Sequence, residues 1–204
     1  MTAPPLPDEP LGQAAVLALY QRAGGLRQGH FELSSGRHSD TYLQSAVVLQ
    51  WPAVAEALGR ALVEPWRGQV DVVVGPAMGG VVIGHEAARA LGVRMVFTER
   101  AAGAMALRRS FEVRAGERAL ITENVVSTGG SVLEVADLLV AAGASVTGVA
   151  TIIDRLRGRT RLPLPFSALA RVEAAAWEPA ECPICRTGSA VESLGSRRLA
   201  DRTK

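Results

Sequence analysis

Lysine is almost missing from this chain: in 204 residues the only one is Lys204, at the very end. That absence excludes Schiff-base chemistry on a lysine, pyridoxal phosphate enzymes included. It also excludes a Walker-type phosphate loop, which requires Gly-Lys-Ser/Thr. Basic residues are therefore nearly all arginine, whose planar fork suits bidentate contact with phosphate. Aromatics are scarce too, at 4%, so a core must be built from Ala, Val and Leu, for which 48% hydrophobic residues suffice. No apolar run reaches the roughly 18 residues that read as a membrane span. The proline-rich start MTAPPLPDEP lacks the pattern of a signal peptide, and a cytoplasmic protein is expected. A net charge of +2 with mixed signs offers no footing for nucleic acid or a membrane surface, and neither is expected as a partner.

Cysteine is nearly absent as well. Cys182 and Cys185 form one Cys-Pro-Ile-Cys knuckle. A structural zinc site takes about four ligands, and His30, His38 and His85 lie far off in sequence. One chain is therefore expected to supply half a site. A zinc shared across a dimer axis, a reduced vestigial knuckle and a redox pair all stay open.

What is present is a regular alternation. The length fits a single domain over 1–204, with an arm at 1–10 and a tail from about 178. Leu11 to Ala23 reads as an amphipathic helix. Phe31 to Leu33 and Thr41 to Leu49 read as two strands about a Ser34-Ser35-Gly36-Arg37 turn, within a unit from about 25 to 50. Pro52 to Val63 has proline in the first turn of a helix. Val70 to Val74 is a buried-type strand, Val81 to Leu91 a helix ending at Gly92, and Val93 to Phe97 a strand. Thr98 to Glu117 reads mostly as loop, and Ser145 to Ile153 and Phe166 to Val172 as strands, the last at an edge. Strands alternating with helices predict an α/β fold with a mostly parallel central sheet flanked by helices. Ligands of such sheets bind beyond the C-terminal ends of the strands.

The stretch from Glu117 to Gly143 is the most informative. Ala119 to Thr122 is a short apolar strand, and Val132 to Ala142 a helix stopped by Gly143. Between them lies Glu123-Asn124-Val125-Val126-Ser127-Thr128-Gly129-Gly130-Ser131. Strand, glycine turn and helix place free backbone N–H groups at a helix N-terminus, an anion site. No Gly-x-Gly-x-x-Gly accompanies it, so a dinucleotide loop is excluded. An acidic residue followed by Ser-Thr-Gly-Gly-Ser suits a sugar monophosphate: hydroxyls and N–H groups on the phosphate, Glu123 on sugar hydroxyls.

Three further segments converge on the same sheet edge. Gly75-Pro76-Ala77-Met78-Gly79-Gly80 is a glycine turn that either approaches an anion, such as a diphosphate, or simply packs a helix on a strand. Thr98-Glu99-Arg100 and the following stretch to 113 carry Arg100, Arg108 and Arg109; this is either a closing arginine loop or a solvated hairpin. Asp154-Arg155 ends an apolar strand, and Arg155 either reads a substrate carboxylate or pairs with Asp154.

Taken in order, FELSSGRHSDTY, GPAMGGV, FTER, LRRSF, the ENVVSTGGS stretch, IIDR and CPIC resemble the orotate phosphoribosyltransferases, type I phosphoribosyltransferases, over about residues 12 to 198. The resemblance implies the type I phosphoribosyltransferase fold, with an N-terminal hood over the base and a flexible catalytic loop at 101–113. It implies a Mg²⁺-dependent transfer of ribose 5-phosphate from 5-phosphoribosyl 1-diphosphate to orotate, the Mg²⁺ being carried by the diphosphate. By the same resemblance Val125 to Ser131 hold the 5′-phosphate, and Glu123 and Asn124 face the ribose hydroxyls. Met78, Gly79 and Gly80 take the diphosphate side, and Ser127, Arg155, Tyr42 and Ser34 the orotate. Arg100 contacts the diphosphate from the neighbouring subunit of a homodimer with shared active sites, with Arg108 and Arg109 on the loop. Many members of the family carry two carboxylates where this chain has Glu123-Asn124, a lysine where it has Ser34, and lysines and a histidine on the loop. These departures keep open two other readings, a non-catalytic 5-phosphoribosyl 1-diphosphate-binding regulator, which Asn124 favours, and a transferase for another base.

Overall fold

The computed structural model describes residues 2–7, 10–33, 35–156 and 162–194. It opens with α1 (Gln13–Arg22), β1 (Leu26–Glu32) and β2 (His38–Leu43), then α2 (Ala46–Leu49) and α3 (Pro52–Val63). β3 (Val72–Pro76), α4 (Gly79–Leu91), β4 (Arg94–Ala101) and β5 (Ala104–Leu107) follow, then β6 (Arg118–Val126), α5 (Gly130–Ala141) and β7 (Ser145–Asp154). β8 (Phe166–Arg171), β9 (Ala176–Trp177) and β10 (Glu192–Ser193) complete the described chain, with single 3₁₀ turns at Glu64–Trp66, Pro179–Glu181 and Cys185–Thr187.

These elements build two sheets. The larger has the order β5-β4-β3-β6-β7-β8 and is parallel throughout except for β4 and β5. The smaller, β10-β1-β2-β9, joins the early hairpin to strands from the tail. Both faces of the large sheet are covered, which explains why β3 is buried at all five positions, VVVGP. One face packs Leu58, Leu62 and Val63 of α3 and Ile83 and Ala87 of α4 on Val73, Leu120 and Ile152. The other packs Val132, Val135 and Leu139 of α5 on Val72, Val74, Ile121 and Val149. Aliphatic side chains dominate both layers, as the shortage of aromatics requires.

Two expectations need correction. The strand expected to run to Leu49 stops at Leu43. Gln44 N–H donates to the Gly25 carbonyl, closing the hairpin, and the Ser45 carbonyl then accepts from Val48 and Leu49, so Ala46–Leu49 turns as a helix and buries those two side chains in the core. Of the stretch from Thr98 to Glu117 expected mostly as loop, residues 98–107 are the end of β4 and a hairpin, while 108–117 carry no helix or strand: Thr98 pairs with Leu107, and Ala101 with Ala104. Ala102 (φ 49°) and Gly103 (φ 89°) make its turn. The N-terminal arm is partly tied down, with Pro4 buried and the Pro5 carbonyl accepting from Arg22 at 3.2 Å.

Candidate active site

β6 runs out of the middle of the large sheet, between β3 and β7, and its last residues turn into the loop before α5. Gly129 makes that turn at φ 82°, a left-handed conformation that favours glycine. The first N–H groups of a helix have no partner inside it; in α5 Leu133 is bonded to the Gly129 carbonyl, leaving the groups before it directed at the loop. Glu123, Val125, Val126, Ser127, Thr128, Gly129, Gly130 and Ser131 line one open pocket of about 60 Å³ with Val132. None of these residues is basic. The pocket's positive potential is that of backbone dipoles, reinforced by the hydroxyls of Ser127, Thr128 and Ser131.

Glu123, at the end of β6's apolar run, lines this pocket. Burial pushes its carboxyl up to about 7, while the Asn124 N–H, donating to Oε1 at 2.9 Å, works in the opposite direction. A group poised there changes charge near neutrality, when a ligand supplies the hydrogen bonds or cation that burial removed.

The glycine turn before α4 comes up against the same carboxylate. A Cβ on Gly79 would lie 2.7 Å from Glu123 Oε1 and 2.8 Å from Asn124 Oδ1. Gly79 thus faces the acidic end of the pocket. Gly75 and Gly80 have a different reason to be glycine: a Cβ on Gly75 would lie 2.5 Å from the Gly80 carbonyl oxygen, and one on Gly80 2.6 Å from that of Thr122. Gly75 and Gly80 are thus confined by backbone packing, and Gly79 by the side chains of Glu123 and Asn124. Met78, between them, is 83% exposed.

Arg155 follows β7, and its N–H donates to the Val126 carbonyl at 2.8 Å, which sets it at the rim beside Ser127. The Asp154 carboxylate accepts from the Leu156 N–H at 2.7 Å, a local turn at the strand end. Four expected elements thus gather at the C-terminal edge of the sheet: Glu123-Asn124, the 125–131 loop, Gly79 and Arg155.

The other expected residues stand apart from this pocket. Arg100 reaches over the hairpin to Glu134 of α5, at 3.1 Å. Arg109 makes two hydrogen bonds to Glu99, both 3.0 Å, and its guanidinium lies over the Phe97 ring at 5.9 Å. Arg108 beside it is exposed. Tyr42 belongs to the small sheet, where its hydroxyl donates to the Leu194 carbonyl at 3.1 Å. Ser34 lies outside the described residues.

One expectation about the knuckle is overturned. A single chain does not stop at half a metal site, because strand pairing brings His30 and His38 to Cys182 and Cys185, with all four ligand atoms within 4.8 Å of one another. Reading along the chain missed this, since residues more than 140 positions apart carry no common period. The one available signal was that both histidines sit on a predicted hairpin, with a Cys-x-x-Cys pair elsewhere.

Comparison with known proteins gives a consistent pattern. The family described as "Phosphoribosyl transferase domain" matches residues 45–164. The chain is 45% identical to an orotate phosphoribosyltransferase of Caldanaerobacter subterraneus over 90% of its own length and 97% of that protein. It is 47% identical to one of Heliobacterium modesticaldum, over 92% of the chain and all of the relative. Among solved structures, the orotate phosphoribosyltransferase of Aeropyrum pernix superposes with a TM-score of 0.67 at 20% identity, covering 77% of this chain and 93% of that one. An adenine phosphoribosyltransferase of Rhodothermus marinus superposes with a TM-score of 0.64 at 22% identity, over 78% of this chain and all of that one, so the shared fold does not by itself select a base.

Proposed function

Since the chain belongs to the phosphoribosyltransferase family, among the orotate phosphoribosyltransferases, we propose that it joins orotate to ribose 5-phosphate. Orotate's ring nitrogen displaces diphosphate from the anomeric carbon of 5-phosphoribosyl 1-diphosphate, giving orotidine 5′-monophosphate for pyrimidine nucleotide synthesis. The observation that carries the reading is the shared pocket: Glu123 and the 125–131 loop line it together, and Arg155 is bonded to its edge.

The roles follow from the chemistry of each position. The loop's N–H groups and hydroxyls take the 5′-phosphate, and the adjacent Glu123 and Asn124 take the ribose hydroxyls. The transition state resembles an oxocarbenium ion with a departing polyanion. It is stabilised by negative charge beside the ribose, positive charge beside the diphosphate, and exclusion of water. Glu123 supplies the negative charge once ionised; Asn124 supplies only hydrogen bonds. Ser127 and Arg155 suit the ring and carboxylate of orotate, Arg155 as a bidentate donor. Mg²⁺ enters as part of the substrate, on the diphosphate. The oxygens of Glu123 and Asn124 that converge on Gly79 are hard donors of the kind such a cation accepts. Arg108 and Arg109 are offered to the leaving group when the hairpin segment closes, which requires Arg109 to leave Glu99. Arg100, paired with Glu134 of α5, is proposed to act in the partner site of a homodimer.

The experiment follows orotate absorbance with 5-phosphoribosyl 1-diphosphate and Mg²⁺, for the wild type and Asn124→Asp. Turnover is expected in both, faster in the variant by tenfold to a hundredfold, for about 1–3 kcal/mol of added transition-state stabilisation. Tight ligand binding without turnover in either protein refutes the enzyme reading and leaves the regulator. Turnover with adenine in preference to orotate refutes the assigned base.

A further inference from the structure

The small sheet is an improbable structure on apolar burial alone. Two of its four strands, β9 and β10, are two residues long, and its interior includes His30, His38, Ser39 and Thr41. Its strands come from opposite ends of the chain, so forming it closes a loop of well over a hundred residues at a corresponding entropic cost. Small units of this kind are usually held by a cross-link or a metal.

The four side chains at its centre have the arrangement of such a metal site. His30 Nε2 lies 3.0 Å from His38 Nδ1, 3.5 Å from Cys182 Sγ and 3.6 Å from Cys185 Sγ, and His38 Nδ1 lies 3.2 Å from Cys185 Sγ. Zn–N near 2.0 Å and Zn–S near 2.3 Å at tetrahedral angles put neighbouring donor atoms about 3.3–3.8 Å apart. The separations found are close to those edges.

The surroundings orient the donors. His30 Nδ1 is 3.0 Å from the Ser189 carbonyl, which can only accept, so Nδ1 carries the proton and Nε2 turns its lone pair to the cluster. A backbone carbonyl behind a histidine is the usual outer support of a metal-bound imidazole. The register between β1 and β2 slips between Gln28 and Phe31, placing His30 in a bulge, a device that re-aims a side chain. His30 and Cys182 are 4% and 0% exposed, while Cys185 opens to solvent and gives an ion a way in.

We propose that His30, His38, Cys182 and Cys185 of one chain bind a single structural Zn²⁺ that fastens the tail to the hairpin strands β1 and β2. Two thiolates and two imidazoles in a tetrahedron select zinc over the harder divalent cations. Four protein ligands leave no open position, so the ion is structural, with no part in the chemistry at Glu123. Neither the shared half-site nor the redox pair is required once both histidines are counted.

The test uses the full chain, produced in zinc-supplemented medium and freed of loose metal by gel filtration. Elemental mass spectrometry is expected to find one zinc per chain, and exchange with Co²⁺ to yield the visible bands of a tetrahedral thiolate centre. Cysteine modification by a disulfide reagent should be slow until a chelator is added, and the chelator should lower the melting temperature of the wild type. Cys185→Ser, altering the most exposed ligand, and His38→Ala should each lose the zinc and the cobalt bands while keeping the circular dichroism of the large α/β sheet. Half an equivalent per chain would overturn the single-chain site in favour of a shared one. A metal-free protein lighter by two hydrogens would overturn it in favour of a disulfide, as would metal-free protein with freely reactive thiols in favour of a vestigial pair. Full zinc in both variants would overturn the ligand assignment.

Discussion

Glu123 should make the protein less stable as the pH rises, and Glu123→Gln should remove that penalty along with most of the activity. The carboxyl is pushed from 4.5 to about 7 by burial. An acid whose pKa is higher folded than unfolded holds its proton more tightly in the native state, so the native state binds more protons between those two values. Stability then falls as pH rises through that window, and above about pH 7 the loss is complete. The separation is about 2.5 pH units, and at about 1.36 kcal/mol per unit the ceiling is about 3 kcal/mol. Glu123 keeps some contact with solvent, so about 2 kcal/mol is the better figure. For a chain of this length that corresponds to roughly 4–8 °C in melting temperature. The glutamine amide carries no charge, and its oxygen can still accept from the Asn124 N–H. Calorimetry at a series of pH values from 5 to 8.5, without ligands, should find the two proteins alike at the acid end and the variant more stable at the alkaline end. Adding 5-phosphoribosyl 1-diphosphate with Mg²⁺ should stabilise the wild type far more than the variant, and kcat/KM should fall in the variant. A difference in melting temperature that does not change with pH would refute the reasoning, because it would mean that the carboxyl is not desolvated in the folded protein.

Three other predictions follow from the same geometry. Gly79→Ala should fold normally but raise the KM for 5-phosphoribosyl 1-diphosphate about tenfold, because its methyl meets Glu123 and Asn124; Gly80→Ala, directed at the Thr122 carbonyl, should instead cost about 1–3 kcal/mol in denaturant unfolding, and equal behaviour of the two would contradict the division of roles. Arg155→Ala should raise the KM for orotate by tenfold or more and leave that for 5-phosphoribosyl 1-diphosphate nearly unchanged, and normal orotate kinetics would remove its carboxylate-reading role. Glu99→Gln should leave the melting temperature almost unaffected, since the pair with Arg109 is on the surface, yet speed trypsin cleavage after Arg108 and Arg109; an unchanged cleavage rate would mean that Glu99 does not hold the segment.

Much of this site was legible because its parts are local. The strand, the 123–131 turn and the helix are contiguous, so hydrophobic period, glycine and hydroxyls mark a candidate anion site before any fold is known. The parallel sheet, with β8 at its edge, followed from alternation, and the sheet edge then grouped the loops that precede α4 and α5 and follow β7. Local pattern failed at two segments. Thr98 to Leu107 became a hairpin because residues 98–101 pair with 104–107, and Ala46 to Leu49 became helical because Val48 and Leu49 are needed in the core.

Chemistry separates along the same line. The amino acids alone excluded a Walker-type loop, because the one lysine, Lys204, stands far from any Gly-Lys-Ser/Thr pattern. The resemblance to the family, in turn, marked Asn124 as uncharged where many members carry a second acid. Tertiary structure alone decided the state of Glu123, since its shift toward neutrality comes from burial, with β7 paired beside it and Gly79 at the start of α4 against its carboxyl. It alone separated Gly79 from Gly80, through neighbours that no spacing reveals. And it alone assembled His30, His38, Cys182 and Cys185, because only the pairing of strands from opposite ends of the chain can bring those four donors to one point.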